Sequence, residues 1–303
     1  MTRRIFCLLM ALALLCGAMP ALAESPAFEN APVVCAPQPQ PFDDSAVILE
    51  IFSLNSGASD CLLVKQGEHT LLVDGGIYWD EWRVLQFLQD RGISQLDMML
   101  NTHCHDDHIT GLTQLLKHGQ TALAAYGSQR KRYASTDQKY FQAWQQQLDK
   151  YGIPYTQLTD GDTLTLGEAS LTIYRNTSKG LSLNDTSLVV KVTCGGRTAV
   201  LLGDVSSKSC IWLAKNHAED LDAEIVKTNH HAYAPMDTNL LKDLSPAVMM
   251  ITNERGSSTA KALAQYDKYG LISLFAGDGI IRCATDGTTW YCELLPHYEK
   301  EEK

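Results

Sequence analysis

Residues 101–111 read Asn-Thr-His-Cys-His-Asp-Asp-His-Ile-Thr-Gly, which places His103, His105, Asp107 and His108 within six residues. Imidazole nitrogens and carboxylate oxygens are both good ligands for a divalent metal. The apolar run Leu96 to Asn101 ahead of them reads as a strand, and Thr110 to His118 behind them as a helix. A strand feeding a loop projects His103 and His105 to one side, while Asp107 and His108 stand at the mouth of the helix. That arrangement suits two adjacent metals, one per pair. Two further pieces carry ligand chemistry at the ends of apolar runs: Leu201-Leu-Gly-Asp204, and Val226-Lys-Thr-Asn-His-His231. Strand ends are where ligands from distant parts of a chain can converge.

The rest of the chain is long and apolar enough to build such a frame. Its 303 residues are 45% apolar, which excludes a disordered chain or a small disulfide-stapled one. Residues 1–23 read as a secretory signal peptide, with Arg3 and Arg4 in a basic start, an apolar stretch Ile5 to Met19, and Ala21-Leu22-Ala23 as a small-x-small cleavage site. About 15 apolar residues fall short of the roughly 20 that span a bilayer, so cleavage is expected and no membrane span after it. The mature chain then carries 23 basic against 35 acidic residues, a net charge of −12, which argues against stable binding to duplex nucleic acid.

Residues 24–46 hold five prolines among mostly small and polar residues and are expected to form an extended, flexible tether. The folded unit is then a single domain over 47–303. Strands are expected over Val47 to Leu54, Cys61 to Lys65 and Thr70 to Val73, and a helix over Trp79 to Arg91. Beyond the ligand-rich run come a polar helix near Thr136 to Tyr151 and strands at Leu164 to Leu166, Ser170 to Tyr174, Ser187 to Thr193 and Thr198 to Leu202. A helix near Ser207 to Asn216, strands at Ala223 to Lys227 and Ala247 to Thr252, a helix over Ser258 to Lys268 and a hairpin around Asp286-Gly287 complete the series. Two halves of strands followed by helices point to an α/β class in which two sheets pack face to face with helices outside.

Seven cysteines remain after cleavage, an odd number, with no spacing that suggests a cysteine zinc site. A two-residue turn at Asp286-Gly287 would set Cys283 opposite Trp290 and make any bond to Cys292 diagonal. Strand alternation turns Cys104 away from its histidine neighbours, as a buried small residue. His118, just past a helix, reads as a surface residue.

With these pieces assembled, residues 47–290 resemble the metallo-β-lactamase superfamily, in the branch of the competence protein ComEC's extracellular domain and bacterial phosphorylcholine esterases. The matching pieces are Ser56 to Asp60, Leu72-Val-Asp-Gly-Gly76, the run from His103 to His108, Asn184-Asp-Thr-Ser-Leu188, Leu202-Gly-Asp204 and Lys227 to His231. The resemblance implies a four-layer αβ/βα sandwich with two metals at the sheet edges, usually zinc and sometimes manganese. By it, His103 and His105 hold one metal, Asp107 and His108 the other, and Asp204 bridges them. One of His230 and His231 supplies the last ligand and its neighbour faces the substrate as a proton donor. Asp74 orients a ligand from behind, and Asn184 and Ser187 stand where lactamase-like members have a third histidine. The other departure is His231-Ala232-Tyr233, where the branch usually shows glycine and serine.

The expected chemistry is hydrolysis by a hydroxide shared between two metals. Asp107, His230, His231 and Lys227 are the candidate catalytic groups, Lys227 as a contact to a phosphate oxygen. The expected substrate is a phosphodiester, a phosphorylated small molecule or nucleic acid, met outside the cytoplasm. A β-lactam or lactone hydrolase, and a secreted non-catalytic metal-containing binding module, remain as alternatives. Gln129-Arg-Lys-Arg132 could guide a strand, and Trp79, Trp82, Tyr126 and Tyr233 could build an aromatic cage, although a solvated cluster and scattered core aromatics are the commoner readings.

Overall fold

Within the strands, buried residues alternate between two different apolar layers. On one strand Leu71 and Val73 enter the layer between the sheets while Leu72 enters an outer one, and on another Val248 and Met250 point inward while Met249 and Ile251 point outward. Strands buried on both faces need cover on both, which is why helices flank each sheet. These relations come from a computed structural model that describes residues 33–36, 43–55, 57–129 and 138–300. The expected signal peptide, the cluster Arg130 to Arg132, Ser56 and most of the proline-rich segment lie outside the described residues.

The first half contributes β1 (Val33–Ala36), β2 (Leu49–Ser53), β3 (Leu62–Gln66), β4 (His69–Val73), α1 (Glu81–Asp90), β5 (Gln95–Asn101), α2 (Asp106–Lys117), β6 (Thr121–Gly127), α3 (Lys139–Tyr151) and β7 (Tyr155–Gln157). The second contributes β8 (Thr163–Leu166), β9 (Ala169–Tyr174), β10 (Val189–Cys194), β11 (Arg197–Leu201), α4 (Ser207–His217), β12 (Ile225–Lys227), α5 (Thr238–Leu244), β13 (Val248–Ile251), α6 (Ala260–Lys268) and β14 (Ile272–Phe275). The closing hairpin, β15 (Ile280–Thr285) and β16 (Trp290–Leu295), crosses back to the first sheet. Among the described residues the sheets run β1-β16-β15-β2-β3-β4-β5-β6-β7 and β14-β13-β12-β11-β10-β9-β8. Helices α1 to α3 pack on the first through Phe87, Leu112, Leu116 and Trp144, and α4 to α6 on the second through Leu213, Leu240, Leu241 and Tyr266. The four-layer αβ/βα sandwich is therefore observed. No helix among the described residues is long and apolar enough to cross a membrane.

Four details depart from the expectations. The sheet extends into the segment expected to be a tether, because β1 pairs in parallel with β16. Helix α2 begins at Asp106 rather than Thr110, its first turn made of Asp106 and Asp107, whose carboxylates complement the positive end of the helix dipole. Elements β6, β7, α5 and β14 carry no separate expectation; β6, Thr-Ala-Leu-Ala-Ala-Tyr-Gly, is too rich in alanine to show as a strand. Finally, the hairpin loop is longer than two residues. The Asp286 carboxylate accepts from the backbone N–H groups of Thr288 and Thr289 at 2.8 and 2.9 Å, and Thr285 pairs with Trp290. That register sets Cys283 directly opposite Cys292, not Trp290, and Cys35 of β1 is paired with Cys292 from the other side.

Candidate metal centre

Parallel pairing within each sheet brings two carboxyl ends of strands together: β4 beside β5 in the first, β11 beside β12 in the second. In α/β folds ligands bind outside such ends. Asp74 follows β4, His103 and His105 follow β5, Asp204 follows β11, and His230 and His231 follow β12.

Two glycines set how closely these loops approach. A Cβ on Gly111 would lie 1.7 Å from the carbonyl oxygen of Gly75, and one on Gly75 would lie 2.2 Å from the nitrogen of Leu112. With both positions bare, Gly75 N–H donates to the His108 carbonyl at 2.7 Å and Gly111 N–H to the Gly76 carbonyl at 2.9 Å. The first turn of α2 is thereby pressed against the loop carrying Asp74. Asp74 itself accepts from Asn101 Nδ2 at 2.9 Å, the Thr102 N–H at 2.8 Å and the Thr102 hydroxyl at 2.6 Å. Its Oδ2 meets His108 Nδ1 at 2.8 Å, which leaves His108 Nε2 facing inward.

The inward-facing atoms form two groups that share one carboxylate. Asp107, His108, Asp204 and His231 each offer a ligand atom, all within 4.8 Å of one another, and His103, His105 and Asp204 do the same. His108 Nε2 lies 3.2 Å and His231 Nε2 3.4 Å from Asp204 Oδ2, and His231 Nε2 lies 3.3 Å from Asp107 Oδ2. His103 Nε2 is 2.9 Å from His105 Nδ1 and 3.8 Å from Asp204 Oδ2. His108 Nε2, His231 Nε2 and Asp204 Oδ1 are buried with no hydrogen-bond partner, a costly arrangement in an apolar interior. A cation between the two ring nitrogens and Asp204 Oδ2 would satisfy both histidines, so the residues fit divalent metal. A third trio, Asp60, Asp74 and His108, also converges. Its carboxylates are already engaged, Asp74 by the donors above and Asp60 by the ammonium group of Lys227.

The structure separates the two adjacent histidines that sequence leaves equivalent. His231 is buried, its Nδ1 held by the Thr252 hydroxyl at 3.0 Å with Asp60 Oδ1 at 3.4 Å, and its Nε2 is in the four-residue group. The His230 side chain is 36% exposed, and its Nε2 lies 3.3 Å from Asn184 Nδ2 and 3.8 Å from Asp204 Oδ2. His230 therefore lines the mouth, with the half-exposed ring of Tyr233 5.4 Å away. Residues His230, His231 and Ala232 all have positive φ, at 42°, 51° and 60°, a strained run for residues with a side chain. Ser187 is buried and its hydroxyl accepts from the Asp204 N–H at 3.3 Å.

Charge sets the proton inventory. Burial would raise Asp204, but the charges of His108 and His231 hold it well below the usual carboxylate range. Asp60 is likewise pulled down against burial, mostly by Lys227, and Asp107 by the neighbouring His231. Burial opposes the charge on His108 and His231, yet Asp204 with Asp74 raises the first well above its ordinary value, and Asp204 with Asp60 raises the second to about 10. His103 is pushed well below its ordinary value by burial and by His108, and His230 is lowered by burial.

One sequence expectation is corrected outright. Lys227 does not reach the substrate side: it is fully buried, its Nζ donates to the Gly203 carbonyl at 2.9 Å, and it pairs with Asp60. Strand β12 ends with its lysine turned into the protein. Asp60, which lay in a matching segment of the resemblance but was given no role, and Thr252 are the site residues that the sequence left unassigned. The signal for Asp60 was a single carboxylate just before an apolar strand, and Thr252 carried none. Cys104 is buried, its thiol donating to Asn101 Oδ1 at 3.9 Å, and His118 is at the surface near Glu81. Of the four aromatics, Tyr126 packs against the inter-sheet core, Trp79 pairs edge-on with Tyr78 at the surface, Trp82 carries the Arg83 guanidinium over its ring, and Tyr233 meets His230 and His231.

The profile of the metallo-beta-lactamase superfamily matches residues 54–249, the span that holds every residue of both groups. The chain belongs to the metallo-beta-lactamase superfamily. Within the superfamily, a 173-residue stretch is 26% identical to ComE operon protein 3 of Bacillus subtilis strain 168, covering 56% of this chain and 21% of that protein. That likeness is consistent with the ComEC-like branch, although the chain spans only about a fifth of the relative's length. Among solved structures, the metallo-beta-lactamase fold protein YhfI of Bacillus subtilis aligns over 75% of this chain and 95% of its own, with 18% identity and a TM-score of 0.49. A point mutant of CmlA beta-hydroxylase aligns over 78% of this chain and 53% of its own, with 12% identity and a TM-score of 0.51. CmlA from Streptomyces venezuelae, a diiron beta-hydroxylase, aligns over 82% and 55%, with 11% identity and a TM-score of 0.49.

Proposed function

We propose that this superfamily member is an extracytoplasmic binuclear metallohydrolase that acts on a phosphodiester or a phosphorylated small molecule. The observation that carries the reading is the pair of ligand groups sharing Asp204, one with four side chains and one with three. His103, His105 and Asp204 would hold one divalent ion, zinc or manganese, and Asp107, His108, His231 and Asp204 the other. Bound there, two such ions would bring the pKa of a shared water towards neutrality and polarise the bond under attack.

The protein's own groups divide the remaining work. Asp74 and Asp60 orient His108 and His231 from behind and fix which ring nitrogen faces inward. Asp107 is 26% exposed at its side chain and borders the mouth with His230. His230 is placed to pass a proton from its ring to the leaving group, and a depressed pKa makes its protonated form a stronger acid. Asn184 steadies that ring. The incomplete histidine set around His103 and His105 counts against a lactamase, and the sequence resemblance to phosphorylcholine esterases favours phosphorus chemistry.

The test is metal content together with hydrolysis of bis-p-nitrophenyl phosphate, p-nitrophenylphosphorylcholine and a chromogenic cephalosporin, for the mature protein and for His105→Ala and Asp204→Ala. About two metals per chain and phosphodiester turnover are expected, with turnover lost by at least about 100-fold in both variants. Cephalosporin turnover alone would select the lactamase class, and firmly bound metal with no turnover would leave a binding module.

A further inference from the structure

Lys227 is fully buried, and among the described residues no other lysine is buried. Its ammonium group meets two parts of the molecule that are distant from each other in sequence. It pairs with Asp60, in the loop before β3; it donates to the Gly203 carbonyl at 2.9 Å; and it lies 3.7 Å from Asp204 Oδ1 in the turn after β11. The lysine itself ends β12, four residues before His231. Asp60 extends the connection. Its N–H donates to the Asp107 carbonyl at 3.2 Å, its carbonyl accepts from Gly76 N–H at 2.6 Å, and its Oδ1 faces His231 Nδ1 at 3.4 Å.

We propose that Lys227 is a positioning residue for the metal centre: a fixed internal cation that ties the Asp60 loop, the Gly203-Asp204 turn and the His231 strand into one unit. The argument is one of charge and reach. Asp60 must be an anion to hold His231 from behind, and a second buried anion 3.4 Å from that ring would otherwise compete for the metal that Asp204 and Asp107 address. The ammonium group holds Asp60 Oδ2 while Asp60 Oδ1 faces His231 Nδ1, so the carboxylate orients that ring without coordinating. The same group anchors the carbonyl next to Asp204, which sets the position of the one carboxylate that both ligand groups share.

The inference rests on the metallohydrolase reading, and its test separates the two. Zinc affinity is measured by competition with a chromophoric chelator, the geometry by the visible absorption of the cobalt(II)-loaded protein, and the metal-free fold by its thermal midpoint. The full mature chain is compared with Lys227→Met and with the neutral pair Lys227→Met/Asp60→Asn. The single variant is expected to lose 10- to 100-fold in zinc affinity and to change the cobalt spectrum. The neutral pair, which leaves no unpaired buried charge, is expected to keep a near-wild-type thermal midpoint while retaining the weakened affinity and the altered spectrum. Wild-type affinity and spectrum in either variant would overturn the proposal, as would a neutral pair that does not fold, since Lys227 would then serve the core alone. A wild-type protein that binds no metal would overturn the metallohydrolase reading itself, whatever the variants do.

Discussion

His230 and His231 are neighbours in the chain with opposite surroundings, and the difference predicts different losses. His231 is buried between Thr252, Asp60, Asp107 and Asp204, whereas the His230 ring opens to solvent. His231→Ala is expected to lower bound metal from about two to about one per chain. His230→Ala is expected to keep both and to reduce turnover by about 100-fold. Elemental analysis of the two purified variants beside their kinetics checks this; equal metal loss in both would contradict the assignment. The backbone that separates the two rings is itself strained. Ala232 has a φ of 60° and is fully buried, where glycine would carry no Cβ penalty. Ala232→Gly should therefore stabilise the metal-free protein by about 1 kcal/mol, offset in part by greater chain entropy in the unfolded state. The readout is a thermal midpoint raised by roughly 2–4 °C.

At the scale of elements, the centre depends on the first turn of α2 lying against the loop after β4. That contact is backbone on backbone at Gly75 and Gly111, so there is no flexible side chain to move aside. Gly111→Ala is expected to cost about 3 kcal/mol or more and to weaken metal binding with it, because His108 and Asp74 are held across the same contact. A thermal melt and a metal titration of the variant would show both; a loss of stability with unchanged affinity would mean that the loop relaxes without moving Asp74. The Asp286 turn shows how little separates a right reading of an element from a wrong register. A strand pair at that place is evident from alternation, but the carboxylate's three hydrogen bonds lengthen the loop and change every cross-strand partner, Cys283 and Cys292 included.

Across the whole molecule, the buried imidazoles and carboxylates couple stability to pH. His231 titrates at about 10 in the metal-free fold, against about 6.5 for an unfolded histidine. Its contribution is therefore complete below pH about 6.5 and is lost as pH rises through about 10, and His108 is shifted the same way. Asp60, Asp107 and Asp204 are shifted down, so their contribution is present above pH about 4 and is lost as pH falls through their folded values. Metal requires the neutral imidazoles, so binding must release protons and grow tighter with rising pH. The expected result is a metal-free thermal midpoint that falls between pH about 7 and 10, a smaller fall for the loaded protein, and proton release in calorimetric titrations run in buffers of different ionisation enthalpy. Binding without proton release would show that His108 and His231 are already neutral.

What the sequence by itself determined is whatever is local or periodic. His103 to His108 lie within one turn and one loop, so their spacing alone marks a metal site, and strands buried on both faces declare themselves as apolar runs. Asp204 and the histidine pair were legible for the same reason, as polar residues closing such runs. Only the tertiary structure sets His230 apart from His231, because their surroundings depend on a left-handed backbone run and on Asp60 and Thr252 arriving from distant loops. Only it turned Lys227 inward. A lysine at the end of a strand is exposed unless an anion waits for it inside, and the anion here lies in a loop more than 160 residues earlier in the chain. Burial, charge pairing and ring orientation are set by contacts between distant segments, and nothing in local spacing records them.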